Sequence, residues 1–509
     1  MKKSPILLLL LVRCFLTFAQ TPAFITDSLD SYVRQGMADW KVPGLAVVVV
    51  KDGKIAFMKG YGVQDTGRRT PVDENTLFMI ASNSKLFTAT MLSQLEYDKK
   101  ISLDDKFTKY FPGFKLYEPT TTELLTIRDL LCHRIGTKTF QGDFTFWNSS
   151  LNPEEIMGKM RLMKPEGLFR SHYGYCNSCF LAAGEVIPKV TGSTWQSYVK
   201  DSILQPLEMG HTYVSVGEIN GAGSLSKAYT TSFTGTLHQV PWDNWDNLAP
   251  AAALISNVSD LSHWLLFQLD SGRYQGRQVM PFGILQKTRD INTPITSQKS
   301  AVVPTHIIGY GLGLLVGDYN GRQVYWHTGG AAGMVSNVCF IPEERLGIVI
   351  LTNNDNQNLY GALRAQILDC YLGVPYRNRS KEYLKEFTKT MEDTLKIIHG
   401  WQARVKGATP SLPLAAYAGH YTNELYGSLD ITLVGNKRGL IMKFNSHDHL
   451  TATLSYMDSD EWLLQYDNIE YGIFSVRFTT GQGRVVSLET RESDFVEEDP
   501  YVFKKEWPH

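Results

Sequence analysis

A serine and a lysine three residues apart, Ser82 and Lys85, are the side chains in this sequence best suited to form a nucleophile. They follow the apolar run Leu77-Phe78-Met79-Ile80 and open a predicted helix over residues 83–96, so that both lie on one helix face. A lysine in a partly desolvated site has a lowered pKa and can assist removal of the serine proton. Backbone N–H groups at the helix start can stabilise an oxyanion. This segment therefore predicts nucleophilic attack on a carbonyl group.

The Ser-x-x-Lys spacing alone is a weak signal, because it also occurs at residues 197–200 and 224–227. Two further motifs follow the Ser82 copy in the chain, Tyr175-Cys176-Asn177 and His327-Thr328-Gly329. A tyrosine with a pKa near 10 becomes a useful base only beside a cation that stabilises its phenolate, and Lys85 is the candidate cation. The three motifs in this order are more specific than any one of them.

Four stretches together resemble the serine hydrolases related to class C β-lactamases, penicillin-binding DD-peptidases, D-aminopeptidases and family VIII esterases. The stretches are residues 80–85, 126–133, 175–178 and 326–333, and the resemblance extends over roughly residues 25–375. It implies an α+β fold of the β-lactamase/transpeptidase-like type, in which an antiparallel sheet is flanked by helices and carries a helical insertion. The site is then expected in the groove between the sheet and the helical part.

The same resemblance implies a role for each motif residue. Ser82 is expected to form an acyl-enzyme that water hydrolyses, while Lys85 and Tyr175 share the proton transfers. The expected substrate-binding residues are Asn177, His327, Thr328 and Gly329, and the backbone N–H groups of Ser82 and Gly330 are expected to form the oxyanion hole. No cofactor is implied, and the substrate is expected to be a small molecule or a peptide.

His327 departs from the family pattern, because class C β-lactamases and DD-peptidases carry a lysine at this position. A histidine with an ordinary pKa of about 6.5 is largely neutral at pH 7 or above, which weakens recognition of a substrate carboxylate. We expect His327 on an edge strand facing Ser82. The sequence therefore favours a peptidase or esterase of the D-aminopeptidase or esterase type over a β-lactamase or DD-peptidase. A catalytically idle sensor or binding protein of the same fold is the alternative from another class.

Composition limits the other functions. With 50 basic and 51 acidic side chains, the chain carries no overall charge that would favour nucleic acid. Residues 1–19 combine a basic start, an apolar stretch and small residues near Ala19. This pattern predicts a signal peptide, and hence a secreted or periplasmic protein without a stable membrane anchor.

The cysteines predict no metal centre. Removal of Cys14 leaves five of the six cysteines, an odd number that does not form a complete disulfide framework. The Cys176-x-x-Cys179 pair could suggest redox or zinc chemistry, but it has no second ligand pair at a suitable spacing. Packing of small buried side chains in a helix is the favoured interpretation.

A length of 509 residues predicts two or three domains. We expect the hydrolase domain over residues 20–378, with a first helix over 24–40 and hairpins over 45–61, 309–327 and 335–351. A helical linker is expected over 379–410. Alternating apolar residues then predict a small all-β barrel or sandwich over 411–509, which is similar to the lipocalin-like domain that often follows this hydrolase. That domain could support a homo-oligomer, and the polar stretch 219–250 has no assigned role.

Overall fold

An eight-stranded antiparallel sheet forms the centre of the structure, a computed structural model that describes residues 21–435 and 439–507. The predicted signal segment lies outside the described residues. In spatial order the strands are Lys54–Gly62, Gly44–Lys51, Leu346–Thr352, Met334–Ile341, Arg322–Ala331, Leu315–Tyr319, Ile308–Tyr310 and Thr293–Thr296. The two ends of the hydrolase region thus meet in one sheet, as the hairpin patterns predict. Three two-stranded ribbons lie outside it: Phe78–Met79 with Ile255–Ser256, Ala228–Thr230 with His238–Val240, and Arg273–Tyr274 with Arg277–Gln278.

Strand Gly44–Lys51 shows why both faces of the sheet are covered. Its run Leu45-Ala46-Val47-Val48-Val49-Val50 is buried throughout, and successive side chains point to opposite faces. Leu45, Val47 and Val49 pack with helices Leu29–Asp39 and Leu359–Tyr371, whereas the alternate residues enter the larger core beneath the helical insertion. The insertion therefore rests on a continuous apolar surface.

The remaining helices surround this sheet and the site. They are Ser84–Tyr97, Pro119–Leu124, Ile127–Leu131, Pro153–Lys159, Asn177–Gly184, Val186–Thr191, Trp195–Val199, Ala249–Ala252, Val258–Leu269, Phe282–Arg289 and the long connecting helix Arg379–Arg404. The first predicted helix is confirmed, because a wide turn over Phe24–Ser28 runs directly into Leu29–Asp39. No helix in the described part of the chain combines the length and apolar character needed to cross a membrane.

One expectation about the strands is wrong. The predicted hairpin 309–327 does not begin with one continuous strand: its first half is split into Ile308–Tyr310 and Leu315–Tyr319. The backbone between them turns at Gly313 (φ +76°) and passes close to the carbonyl of Lys85. Strand Arg322–Ala331, which we call the site strand, pairs with Leu315–Tyr319 only over residues 322–326, whereas it pairs with Met334–Ile341 over residues 325–331. Within the described residues, the strand therefore has a paired neighbour on one side only from His327 onward, which agrees with the edge position expected for His327.

The C-terminal part is a closed barrel of eight antiparallel strands, which decides between the predicted barrel and sandwich. Its strands are Gly419–Asn423, Gly427–Leu433, Leu440–Phe444, Thr451–Tyr456, Glu461–Tyr466, Ile473–Gly481, Arg484–Thr490 and Tyr501–Lys505. The first and last strands pair and close the barrel. The barrel packs against the hydrolase region, where the Phe144 ring stacks on His447 at 4.2 Å and meets Phe444 edge-on.

Candidate active site

Ser82 lies in the single helical turn Ala81–Asn83 that leads into helix Ser84–Tyr97. The preceding apolar residues are held in place because Phe78–Met79 pairs with Ile255–Ser256 and the Ile80 N–H donates to the carbonyl of Leu254. Ala81 has a φ of +48°, a left-handed conformation that a non-glycine residue adopts only where the surroundings enforce it. The apolar run thus fixes the turn that presents Ser82.

Lys85 is completely buried beneath Ser82. Its ammonium nitrogen donates to Ser82 Oγ at 3.0 Å, to Asn177 Oδ1 at 2.6 Å and to the carbonyl of Ala251 at 3.0 Å. Burial disfavours the charged form and lowers the pKa of Lys85 to about 7. A substantial fraction of Lys85 is therefore neutral near pH 7 and able to take a proton from Ser82.

Tyr175 precedes helix Asn177–Gly184, and its ring centroid lies 4.8 Å from Lys85 Nζ. Burial raises the pKa of Tyr175 well above its usual range, and the hydrogen bond with Ser82 opposes this only in part. The phenol is consequently protonated at rest. This arrangement favours Lys85 as the group that gains the first proton, with Tyr175 able to pass one between Ser82 and a departing group.

Asn177 connects Lys85 to a buried carboxyl group that the sequence analysis did not identify. Asn177 Nδ2 donates to Asp143 Oδ2 at 2.5 Å, while its oxygen accepts from Lys85. Burial raises the pKa of Asp143 well above its usual range. Asp143 begins the short helical turn Asp143–Thr145 in a segment rich in aromatic residues that has no recognisable motif, so nothing in its local sequence marks it.

His133 is a second residue near the site without an assigned role. It belongs to the stretch 126–133 that carries the family resemblance. Its ring stacks obliquely on Tyr175 at 4.3 Å, and its Nδ1 accepts the backbone N–H of Cys176 at 3.0 Å. His133 is fully buried, and it therefore fixes the backbone on which Tyr175 and Asn177 lie.

His327 is buried in the site strand and forms two hydrogen bonds through its ring. Its Nε2 lies 2.9 Å from the Tyr310 hydroxyl, and its Nδ1 lies 2.8 Å from the carbonyl of Thr328. The carbonyl is an acceptor, so Nδ1 carries a proton and Nε2 accepts from the tyrosine. Burial and the Lys85 charge lower the pKa of His327 to about 3. His327 is therefore a neutral residue at physiological pH.

The rest of the site strand approaches Ser82 closely. A side chain at Gly329 would collide with the carbonyl of Ile80, so only glycine allows the strand to lie against the turn that carries Ser82. Thr328 Oγ1 accepts from Asn337 Nδ2 at 2.9 Å. Gly330, the expected oxyanion donor, faces the ring of Phe495 from the barrel.

These residues line one cavity of about 420 Å³. It brings together Ser82, Tyr175, Asn177, His327, Thr328 and Gly330; Lys85 lies beneath it. Its other lining residues are Thr139, Phe140, Trp147, Tyr173, Leu315, Val335, Asp355, Gln357, Tyr360 and Phe495. The wall is rich in aromatic rings, and Asp355 is the one acidic side chain among the lining residues, which include no lysine or arginine.

The cysteine pair lies next to the site as a buried element of packing. Cys176 and Cys179 are fully buried, their sulfur atoms lie 2.9 Å apart, and all five described cysteines have free thiols. Within residues 21–435 and 439–507, no group of three or more His, Cys, Asp or Glu side chains is placed to hold a metal ion.

A buried lysine bonded to a serine at a helix start, opposite a glycine-containing strand, defines the class of serine hydrolases that react through an acyl-enzyme. The family model described as Beta-lactamase matches residues 29–371, and the chain belongs to this family. A second model, described as a domain of unknown function (DUF3471), matches residues 403–505.

The named relatives have low sequence identity to this chain but match most of its length. The chain is 26% identical over 449 residues to "Unguisins hydrolase ungD" of Aspergillus violaceofuscus, covering 80% of this chain and 77% of the relative. It is 26% identical over 337 residues to "Protein flp" of Staphylococcus aureus, covering 65% and 64%. The structure of the octameric penicillin-binding protein homologue from Pyrococcus abyssi is similar, with a TM-score of 0.60 and 22% identity over 94% of this chain and 99% of that one. The similarity to the Pyrococcus abyssi structure covers both the hydrolase region and the C-terminal barrel, so the two proteins share the whole fold.

Proposed function

We propose that this member of the Beta-lactamase family hydrolyses small peptide, amide or ester substrates through an acyl-enzyme on Ser82. The observation that carries the proposal is the buried Lys85 ammonium group, which contacts both Ser82 Oγ and Asn177 Oδ1. A lysine with a pKa near 7 in this position can activate the serine at neutral pH. A binding protein without catalytic activity would not require a buried lysine that is hydrogen-bonded to this serine.

In the proposed reaction, Ser82 Oγ bonds to the substrate carbonyl carbon while its proton passes to neutral Lys85. The oxygen of the tetrahedral intermediate accepts from the backbone N–H groups of Ser82 and Gly330, where one lost donor typically costs about 3 kcal/mol. The bond to the leaving group then breaks, and that group receives a proton through Tyr175. Water attacks the ester of Ser82 by the reverse of these proton transfers and releases the acid.

The charge of the cavity supports a peptidase or esterase. His327 has a pKa of about 3 and stays neutral, and the lining residues include Asp355 but no lysine or arginine. A substrate carboxylate would therefore find no charged partner among them, whereas a neutral or amine-bearing substrate meets no repulsion. The relative named as a hydrolase supports hydrolysis in general. β-Lactam turnover is less favoured.

Two further proposals concern the setting of the enzyme. We propose that the chain is secreted or periplasmic, on the basis of the signal pattern in residues 1–19. We also propose that it self-associates through the barrel, since the similar Pyrococcus abyssi protein is described as octameric. The mass of the purified protein in solution tests this second proposal.

A fluorophosphonate probe followed by peptide mapping tests the nucleophile. We expect label on Ser82 only, and we expect Ser82→Ala to abolish both labelling and turnover of p-nitrophenyl acetate and D-alanine p-nitroanilide. Ser197→Ala is the matched control, because Ser197 has the same spacing to a lysine but is exposed on another helix. Labelling of a different serine, or full turnover by Ser82→Ala, would refute the proposal. Turnover of nitrocefin as fast as that of the esters would instead indicate a β-lactamase.

A further inference from the structure

The barrel contributes a residue to the active-site cavity. We propose that Phe495, together with Trp147, forms the wall of an acyl-binding pocket that selects substrates with an aromatic or large apolar group on the acyl side of the scissile bond. This inference rests on the proposed function, because it assigns a substrate class to the same site. It gives the barrel a direct part in substrate selection.

The position of the Phe495 ring is the first observation. The ring packs so closely on Gly330 that a methyl group there would lie 2.6 Å from it. Its centroid is 5.6 Å from that of Trp147, at an interplanar angle of 77°. Such an edge-to-face pair leaves ring surface available to a third apolar group. Phe495 is only partly buried and lines the cavity that contains Ser82.

The direction of the site strand indicates which part of the substrate this wall meets. Tyr175, proposed to protonate the leaving group, lies toward the His327 end of the strand, with ring centroids 6.1 Å apart. Phe495 packs at Gly330, three residues further along, which corresponds to about 10 Å of extended chain. The leaving group is therefore placed at the His327 end. The acyl group points toward Phe495.

The wall is held rigidly, as selection requires. Two residues after Phe495, the Glu497 carboxylate accepts the backbone N–H groups of Gly142 at 2.8 Å and Phe144 at 3.2 Å. Asp499 forms an ion pair with Lys138 at 3.0 Å. These contacts fix the barrel segment, residues 493–499, on the hydrolase loop 138–148, which carries Trp147. A pre-formed pocket binds a matching group without losing the conformational entropy that ordering of its side chains would otherwise cost.

The test compares p-nitrophenyl phenylacetate with p-nitrophenyl acetate, which share a leaving group and differ in the acyl group. We expect Phe495→Ala to lower the ratio of their kcat/KM values about tenfold or more, the usual scale for a lost apolar contact in a pocket. Phe474→Ala is the matched control, since Phe474 is a barrel phenylalanine that packs on Phe233 and lines a different cavity. In Phe474→Ala, the ratio of the two kcat/KM values should stay within about twofold of the ratio in the parent protein.

Three outcomes would overturn the inference. The first is an unchanged ratio in Phe495→Ala, and the second is an equal loss for both esters, which would indicate a structural role only. The third is an effect of Phe495→Ala on kcat/KM that varies more among acetyl esters with different leaving groups than among p-nitrophenyl esters with different acyl groups. Labelling of Ser82 by the fluorophosphonate probe separates these results from failure of the proposed function.

A binding measurement completes the test without requiring turnover. In the Ser82→Ala background, titration calorimetry with phenylacetamide should give a dissociation constant about tenfold higher after Phe495→Ala and unchanged after Phe474→Ala. Equal affinity in all three proteins would contradict the proposed pocket. The circular dichroism spectrum of each variant checks that the fold is retained.

Discussion

At the scale of single residues, the site depends on removing Lys85 from water. Its three hydrogen bonds are to neutral acceptors, Ser82, Asn177 and Ala251, so the buried charge has no carboxylate in direct contact. Burial therefore determines the direction of the pKa shift. The same side chain that would be an inert cation at the surface becomes a base near neutral pH.

This environment predicts the pH dependence of the reaction. Below pH 7 Lys85 is protonated and cannot accept the Ser82 proton, so kcat/KM for p-nitrophenyl acetate should rise up to about pH 7 and then level off. Lys85→Arg stays charged at every accessible pH and should lose about 100- to 10,000-fold in kcat/KM. Lys200→Arg, at the equivalent position of an alternative Ser-x-x-Lys, is the control. A parent-like profile in Lys85→Arg would contradict this assignment.

The main residues of the candidate site were predictable from sequence, because the three motifs occur in a fixed order along the chain and each contains a side chain with a distinct chemistry. Ser82, Lys85, Tyr175, Asn177 and His327 do lie around one cavity or directly beneath it, although their catalytic roles stay predictions. Asp143 and Phe495 were not predictable, since both lie in irregular segments whose importance comes only from distant partners. Local periodicity contains no information about such contacts.

At the scale of elements, the hydrolase loop 138–148 connects the site to the barrel. Asp143 in this loop holds Asn177, and the neighbouring N–H groups of Gly142 and Phe144 donate to Glu497. The Tyr426 hydroxyl also donates to this carboxylate. One barrel side chain thus satisfies three donors and fixes the loop that positions a site residue.

Removal of the Glu497 carboxylate should disturb both the support of Asn177 and the wall formed by Phe495 and Trp147, because Glu497 joins the two segments that carry them. We expect Glu497→Ala to lower kcat for the acetate ester by about tenfold, because Asn177 loses its fixed support, and to lower the activity on the phenylacetate ester further, because the wall is no longer held. The fold should lose about 1–3 kcal/mol of stability per unsatisfied buried donor. Glu497→Gln retains an acceptor oxygen and should recover most of the activity. Steady-state kinetics and urea unfolding measure the two effects. Unchanged kcat for the acetate ester in Glu497→Ala would contradict a positioning role.

The hairpins were predictable at this scale, but their order in the sheet was not. The Asp52-Gly53 turn has positive φ at both residues, as its sequence indicates. The pairing of Gly44–Lys51 with Leu346–Thr352 joins segments far apart in the chain. Placing the site strand within the sheet required such long-range pairings, whereas the expected edge position of His327 agrees with the structure, because the pairing with Leu315–Tyr319 ends at Trp326.

At the scale of the whole molecule, three carboxyl groups lie close together where the barrel meets the hydrolase region. Asp243 and Asp355 accept the backbone N–H groups of Ala332 and Gly333. Glu470 comes from the barrel, and both of its carboxylate oxygens are buried without a partner among the described residues. Burial raises the pKa of Asp243 and Asp355 to about 6, and burial together with these neighbours raises that of Glu470 well above its usual range.

These shifts predict that stability falls as pH rises. A carboxyl group with a raised pKa in the folded state keeps its proton there while the unfolded chain releases it, so the free energy of unfolding decreases between about pH 4 and the folded pKa. Glu470→Gln cannot ionise and should have a higher melting temperature than the parent at pH 8, by about 2–4 °C. At pH 5 the two should be similar.

Glu489→Gln is the matched control, since Glu489 is an exposed barrel residue. Calorimetric melting at pH 5 and pH 8 compares the three proteins. An equal loss of melting temperature in the parent and in Glu470→Gln between these pH values would show that Glu470 is not responsible.

The antiparallel sheet and the barrel wall also fix the order in which the enzyme becomes functional during its synthesis. Ser82 and Lys85 are translated early, but Gly44–Lys51 lacks its central neighbour until residues 346–352 have left the ribosome. Phe495 follows later still. A nascent chain therefore holds Ser82 and Lys85 long before it can complete the site, and under the proposed role of Phe495 substrate discrimination is the last property it gains.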